Sequence, residues 1–320
     1  MRDASSPATM PLPSRPELAR AQGWAHPVLE LLDRHLGIVF LLPGLLCLLA
    51  VIAYPILFNL AFGFTNKDLV FPTIGFVGVA NYVATLNDTE FWHALLTSIS
   101  WTAASVVGQL VLGLAAALAL DRISHGRTLL RMLLIVPWAF PAIVMAFVWR
   151  FMLDPLYGIV NYFLIVLHVL AQPMAFHGTP GTALPSVVLM NVWFGFPFMT
   201  VAIVAALQGI PREHYEVAQI EGAEYWQELV HVILPAIRGV LAILVVLRTI
   251  WVFNNFDFIY LTTAGGPINV TETLPIYAFT IGWLGHDIGR MAAISTLMLI
   301  VLSIITSIYF RLLRVGAQGQ

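Results

Sequence analysis

Six long apolar stretches, separated by polar intervals, set the plan of this chain. They run at about 36–64, 92–120, 129–153, 184–207, 236–261 and 288–312. Each is long enough to cross a hydrocarbon layer roughly 30 Å thick as a helix. The pattern predicts an all-α polytopic membrane protein with about six transmembrane helices over 36–314, between tails at 1–35 and 315–320. Pro43 and Pro55 interrupt the first stretch, which spans tolerate where neighbours re-satisfy the freed carbonyls. Gly108, Gly113 and Ala115 to Ala117 in the second favour close helix contact. Between the third and fourth, Gly158 to Leu170 is apolar but short, and Pro173, Gly178, Pro180 and Gly181 follow. Residues 154–183 therefore read as an interfacial or re-entrant helix. The first 35 residues are rich in Pro, Ser, Ala and Arg. They read as disordered apart from a short surface helix over 24–35, and contain no apolar core with a cleavage site, so no removable signal peptide is expected.

The longest polar interval of the second half is Ile210 to Pro235, IPREHYEVAQIEGAEYWQELVHVILP. Apolar runs on both sides place it in water at one membrane face. Pro211 suits a first helical position, and Gly222 suits a left-handed helix end. Ala223 to Val232 can restart a helix, and Pro235 marks the next boundary. Two short helices with a sharp bend at Gly222, outside the bilayer, are the expectation.

Composition agrees with a lipid solvent. The 320 residues are 59% hydrophobic and 10% charged, with a mean hydropathy of +0.87, against about a quarter charged in soluble domains. The net charge of -2 gives no sign of nucleic acid. One cysteine, Cys47, excludes an intrachain disulfide and a thiol-based metal site. The single lysine, Lys67, lies in Thr-Asn-Lys-Asp, whereas a phosphate-binding loop needs Gly-Lys-Ser/Thr. Any ATP must therefore be bound by another chain. The histidines form no His-Glu-x-x-His, so no metal is expected. No Gly-x-Ser-x-Gly frame occurs. Trp92, Trp101, Trp149 and Trp283 near span ends read as interfacial belts, and Asn269-Val-Thr as a chance glycosylation triplet.

Arg placement orients the chain. Arg2, Arg15, Arg20 and Arg34 precede the first span, Arg122, Arg127 and Arg131 lie between the second and third, and Arg212 and Arg238 flank the Glu-rich loop. Arg311 and Arg314 lie at the C-terminal end of the chain. Lys67, Arg150 and Arg290 fall on the other side. Both termini and the Glu-rich loop are expected to be cytoplasmic.

The fifth stretch carries the unusual chemistry. Arg248 sits about ten residues in, roughly 15 Å deep at 1.5 Å per residue. An Arg there is costly unless it faces protein, water or a partner. At 100° per residue Arg248, Trp251 and Asn255 share one face, with Asn254 and Asp257 on adjoining positions. Guanidinium, indole, amide and carboxylate groups converging in a cavity suit a sugar, whose hydroxyls need bidentate partners and whose C–H face packs on an aromatic ring. The bland alternative is that Arg248 and Asp257 form structural ion pairs. Gly265-Gly266-Pro267 reads as a turn closing the span at the outer face.

The Ile210–Pro235 loop resembles the EAA loop of ABC importer permeases. Glu216-Val217-Ala218 stands for Glu-Ala-Ala, Gly222-Ala223 for Gly-Ala, and Val232-x-Leu234-Pro235 for Ile-x-Leu-Pro. Val217, Glu221, Leu229 and Val232 depart mildly from the pattern. Ile210-Pro211, Glu213 and Tyr215 look like the carbohydrate-importer branch. Asn255-Phe256-Asp257, Leu261-Thr262, Gly265-Gly266-Pro267, Thr271 to Pro275 and Tyr277 are similar to that branch too. So are Pro137-Trp138, Pro141, Trp149, Gly158, Asn161, Trp193 and Pro197.

The resemblance implies a maltose-type or glycerol-3-phosphate-type permease subunit in a bacterial inner membrane, not an enzyme. It implies a second permease subunit, two ATPase subunits carrying ATP and Mg, an extracytoplasmic solute-binding protein, and surrounding lipid. By the same resemblance Glu216, Ala218, Glu221, Gly222, Ala223, Tyr225, Trp226 and Pro235 would couple to the ATPase, Gly222 setting the bend. Gly265, Gly266 and Pro267 would contact the binding protein. The sugar stays open among trehalose, maltose, a short oligosaccharide and glycerol 3-phosphate. Rival readings are an ion-coupled secondary carrier, which lacks a second half and paired acids, and a membrane enzyme acting on lipid-linked sugars.

Overall fold

The computed structural model describes residues 38, 40–72, 74–123 and 125–318, with side chains to residue 311. The tail expected at 1–35, with its surface helix, lies outside the described residues. Every element among the described residues is helical or irregular, with isolated bridges in place of strands. Contacts divide the chain into two units, 1–58 and 59–320. The first unit holds most of helix α1, Phe40–Phe62, an apolar helix with none of its residues buried. A π-turn at Leu49–Ala53 precedes Pro55, the widening that lets a helix carry a proline.

The second unit contains short α2, Ala80–Leu86, and is built on α3, Thr89–Arg122, and α7, Pro180–Leu207. Asp88 caps α3 by accepting from the Glu90 N–H at 3.0 Å, and Arg122 sits in its last turn, each charge matching the helix dipole. At about 50 Å, α3 exceeds the hydrocarbon thickness. It packs closely on α7 because two glycines let the backbones approach. A Cβ on Gly108 would stand 2.6 Å from Val192 Cγ2, and one on Gly113 2.5 Å from Met199 Cβ.

The stretch read as one span over 129–153 is two helices, α4 (Arg127–Ala139) and α5 (Ala142–Met152), bent by 93°. Phe140 is extended (ψ 148°) ahead of Pro141. Proline disfavours the helical region for its predecessor and offers no N–H of its own, so the ladder breaks there. Between α5 and α7 lies only α6, Ile159–Val166, too short to cross. Buried Asn161 laces this segment. Its Nδ2 donates to Asp154 O (3.0 Å) and Met174 O (3.1 Å), and its Oδ1 accepts from Met174 N (2.9 Å).

After α8, Arg212–Ile220, helix α9 runs from Tyr225 to Phe253. The boundary expected at Pro235 is absent. A π-turn at Leu229–Ile233 comes first, and its wider ring absorbs the bond that proline cannot make. The span expected to reach 261 ends at Phe253, and α10, Asp257–Thr262, follows a break. Helix α11, Leu274–Leu284, lies in the loop before α12, Ile288–Gln318. The latter continues into the stretch expected to be a tail at 315–320.

At the end of the bundle away from the Glu-rich loop, side chains tie α3, α11 and α12 together. Asp88 accepts from the Tyr277 hydroxyl at 2.8 Å and from Arg290. Burial raises the Asp88 carboxyl, but the hydrogen bonds from Tyr277, the Glu90 amide and Arg290 outweigh it and hold the group below its ordinary range. The Leu274 N–H donates to Ser98 Oγ at 2.8 Å. Nearby, Gly265 (φ 88°) and Gly266 form the turn, with Thr271 Oγ1 donating to Gly266 O at 2.8 Å. Glu272 beside it is 6% exposed. Burial, reinforced by Glu90 and Asp88, pushes its carboxyl up to about 7. The folded loop thus holds a proton that the unfolded chain releases. That stability is full below the ordinary value of 4.5 and is lost as pH rises through about 7.

Two outcomes are expected. Glu272→Gln, which fixes the neutral form, raises the melting temperature in detergent above the native value at about pH 8 and matches it near pH 5. Parallel pH profiles for the two proteins would contradict the burial of a neutral carboxyl. Trp101 is fully buried and donates to Val252 O at 3.0 Å. Trp101→Ala destabilises the bundle by about 3–5 kcal/mol, read as a loss of thermal stability, and an unchanged melting temperature would exclude this packing.

Candidate functional site

Two places hold the residues singled out from sequence. The first is the elbow between α8 and α9. Gly222 has φ 76°, the left-handed conformation that ends a helix without a Cβ penalty. The Ala223 N–H donates to Ala218 O (2.9 Å) and the Gly222 N–H to Gln219 O (3.1 Å), the paired bonds of a Schellman stop. Glu224 then opens α9 with a capping box to Gln227. Of the helices expected outside the bilayer, only α8 stands alone. The other expected helix is the first turn of α9, continuous with the fifth span.

The elbow has an inner and an outer side. Ala218 is buried, and Leu229, Ile233 and Ile210 share a core cluster with Ala117, Leu120 and Leu207, against which Tyr215 packs. The small side chain expected at Ala218 to let a partner approach therefore faces this chain's own bundle. Outward stand Glu216, Glu221 and three large apolar groups: Val217, Ile220 (86% exposed) and Trp226 (69%). Grouped exposed apolar side chains mark a surface that something covers. Val217 stood out in the sequence only as a departure from the Glu-Ala-Ala pattern, and Ile220 did not stand out at all.

The second place surrounds Arg248 on α9, which is 5% exposed. Its Nε donates to Gln109 Oε1 at 2.7 Å, and Gln109 Nε2 donates to Asn191 O at 2.9 Å. The guanidinium is thus met by a neutral amide from α3, and no ion pair among the described residues includes it. Gly195 on α7 makes room, since a Cβ there would collide with Arg248 Nη2 and Gln109 Nε2. The Arg248 Cζ lies 5.7 Å from the Trp251 ring and 5.9 Å from the Phe198 ring. Phe198 stands 5.4 Å from both Trp251 and Trp138. A cation and three aromatic rings from α4, α7 and α9 converge, with Trp138 and Trp251 partly exposed.

Arg248 and Trp251 meet as their spacing predicts. The shared face does not extend further, because α9 ends at Phe253 and helical phase is lost. Asn254 Nδ2 donates back to Ile250 O at 2.9 Å, while Asn255 Oδ1 accepts from the Phe258 N–H at 3.2 Å, opening α10. Asp257 is exposed in the first turn of α10. Gln109 and Phe198 were missed: each lies far from Arg248 in sequence and carries no local signal.

Comparison with known proteins places this architecture. Residues 109–315 match the family described as binding-protein-dependent transport system inner membrane component. The chain is 37% identical over 273 residues to the inner membrane ABC transporter permease protein YcjO of Escherichia coli, covering 84% of this chain and 91% of that one. It is 35% identical over 280 residues to the trehalose/maltose transport system permease protein MalF of Thermococcus litoralis, covering 87% and 94%. A chain of a bacterial ABC transporter that imports the polysaccharide alginate shares the fold, with a TM-score of 0.78, 22% identity and coverage of 90% and 98%. With the elbow, the broken spans and matches over most of its length, the chain belongs to the binding-protein-dependent inner membrane components, as a permease subunit of an ABC importer and not an enzyme.

Proposed function

We propose that this subunit carries a di- or oligosaccharide of the trehalose or maltose kind across the bacterial inner membrane. A binding protein outside delivers the sugar, and ATP with Mg on two separate ATPase subunits drives the cycle. The observation that carries the reading is the elbow: exposed Val217 and Ile220 on α8 and exposed Trp226 on α9 flank Gly222, and α9 continues into the span that holds Arg248. An ATPase groove covers this surface, with Glu216 and Glu221 offering carboxylates at its edge and Ala223, Tyr225 and Pro235 shaping the approach. Arg placement puts the elbow and both termini in the cytoplasm. Gly265, Gly266 and Pro267 then face the binding protein at the opposite end.

The substrate class rests on the Arg248 site and on the relatives' specificities. Aromatic faces stack on the C–H face of a sugar ring, and a guanidinium donates to paired hydroxyls. Phe198, Trp251 and Trp138 supply faces, and Arg248 the donors. Asn254, Asn255 and Asp257 lie beyond the helix end as further polar contacts on the path. A second permease subunit closes the other side. Movement of the docked elbows together shifts the population of the bundle between inward and outward states.

Two outcomes test this in proteoliposomes holding the full complex and its binding protein. Gly222→Asp adds a carboxylate where nothing lies within 4 Å of a Cβ, at a left-handed position that costs a side chain about 1–2 kcal/mol and that Asp tolerates better than most residues. The fold should stand while sugar uptake falls by about tenfold or more, as expected when a buried interfacial charge is left unpaired. Uptake at the native rate would exclude an ATPase at this surface. Arg248→Gln removes a charged donor, so the apparent KM for trehalose or maltose uptake should rise roughly tenfold or more. An unchanged KM for a transported sugar would remove Arg248 from the substrate path.

A further inference from the structure

Helix α3 reaches both candidate places and the opposite end of the bundle. At one end Asp88 and Ser98 hold α11 and α12. Near its middle Gln109 receives the Arg248 guanidinium. At its last residue Arg122 lies flat over the ring of Tyr225, with Cζ 3.3 Å from the centroid. Tyr225 is the first residue of α9, immediately past the elbow. A separation of 3.3 Å is face-to-face stacking of two planar groups, the geometry that arginine, unlike lysine, can adopt. The neighbouring turn is itself pinned, since Arg127 pairs with Asp121 at 3.0 Å. The C-terminal dipole of α3 also favours a cation at its end.

We infer that Arg122 is a positioning residue that clamps the elbow to α3, so that displacement of the elbow by ATPase closure is delivered to Gln109 and Arg248 about 20 Å along the same helix. This rests on the transport reading above. A rigid helix with fixed partners at three levels is a physical carrier for such coupling. Beneath the stack, Ala117 and Leu120 of α3 already pack with Leu229 and Ile233 of α9. The rival account is that this apolar packing suffices and the stack is surface decoration.

The test uses the assembled complex with its binding protein in proteoliposomes, reading trehalose or maltose moved per ATP hydrolysed and the rise in hydrolysis on adding binding protein. Arg122→Ala should lower both by about two- to fivefold, the worth of an exposed cation–π contact, while the ATPase subunits still co-purify. Arg122→Lys, which keeps the charge and loses the flat stack, should recover only part. Tyr225→Leu should match Arg122→Ala, and the double variant should be no worse than either single one. Native-like coupling in Arg122→Ala overturns the clamp, as do additive losses in the double variant, which would mean that the two side chains act separately. If Arg122→Ala fails to assemble, Arg122→Lys decides it: the clamp requires coupling below the native value, and native-like coupling overturns it. A native complex showing neither uptake nor stimulation counts against the transport reading itself.

Discussion

The structure depends on how closely α3 and α7 approach. In lipid, apolar side chains gain little by meeting one another, so association rests on van der Waals fit and on polar groups finding partners. Gly108 and Gly113 remove the side chains that would hold the two backbones apart. Gly195 extends the same economy to the level of Arg248. A methyl group at Gly108 or Gly113 would push α3 and α7 apart, and one at Gly195 would displace the Gln109 and Arg248 side chains themselves. The arginine can sit deep in the bundle because the packing around it is tight enough for a neutral amide to reach it.

That neutrality has a chemical meaning. A carboxylate partner would cancel the charge and spend the donors of the guanidinium. An amide takes one bond from Nε and leaves positive charge facing the rings of Phe198 and Trp251. Burial of such a charge is costly without compensation, and the aromatic faces supply part of it. Carboxylates stand instead at the ends of the bundle; at the one away from the elbow Asp88 is paired with Arg290, and burial raises the Glu272 carboxyl.

Much of the fold was legible in hydropathy, because a membrane span must be long and apolar whatever its neighbours. The depth of Arg248 and the left-handed stop at Gly222 were legible for similarly local reasons. What escaped was decided by tertiary contact or by backbone breaks inside apolar runs. The 93° bend at Pro141 joins two apolar helices, so hydropathy sees one segment. Asn254 and Asn255 continue a helical spacing on paper, but their side chains cap backbone groups and end the phase. Gln109 stands 139 residues from Arg248, and no periodicity links them. Ala218 looked like a contact point because it is small, but it is already buried within its own chain.

Helix α9 contains no joint between the elbow and Phe253. Its one irregularity, the wide turn at Leu229–Ile233, carries the chain past Pro235 without ending the helix. A continuous helix transmits torsion, so a rotation imposed on Tyr225 would reach Arg248 as a change of azimuth. The guanidinium would sweep past the aromatic rings around it, and the bound sugar would feel the motor as a turning of its wall.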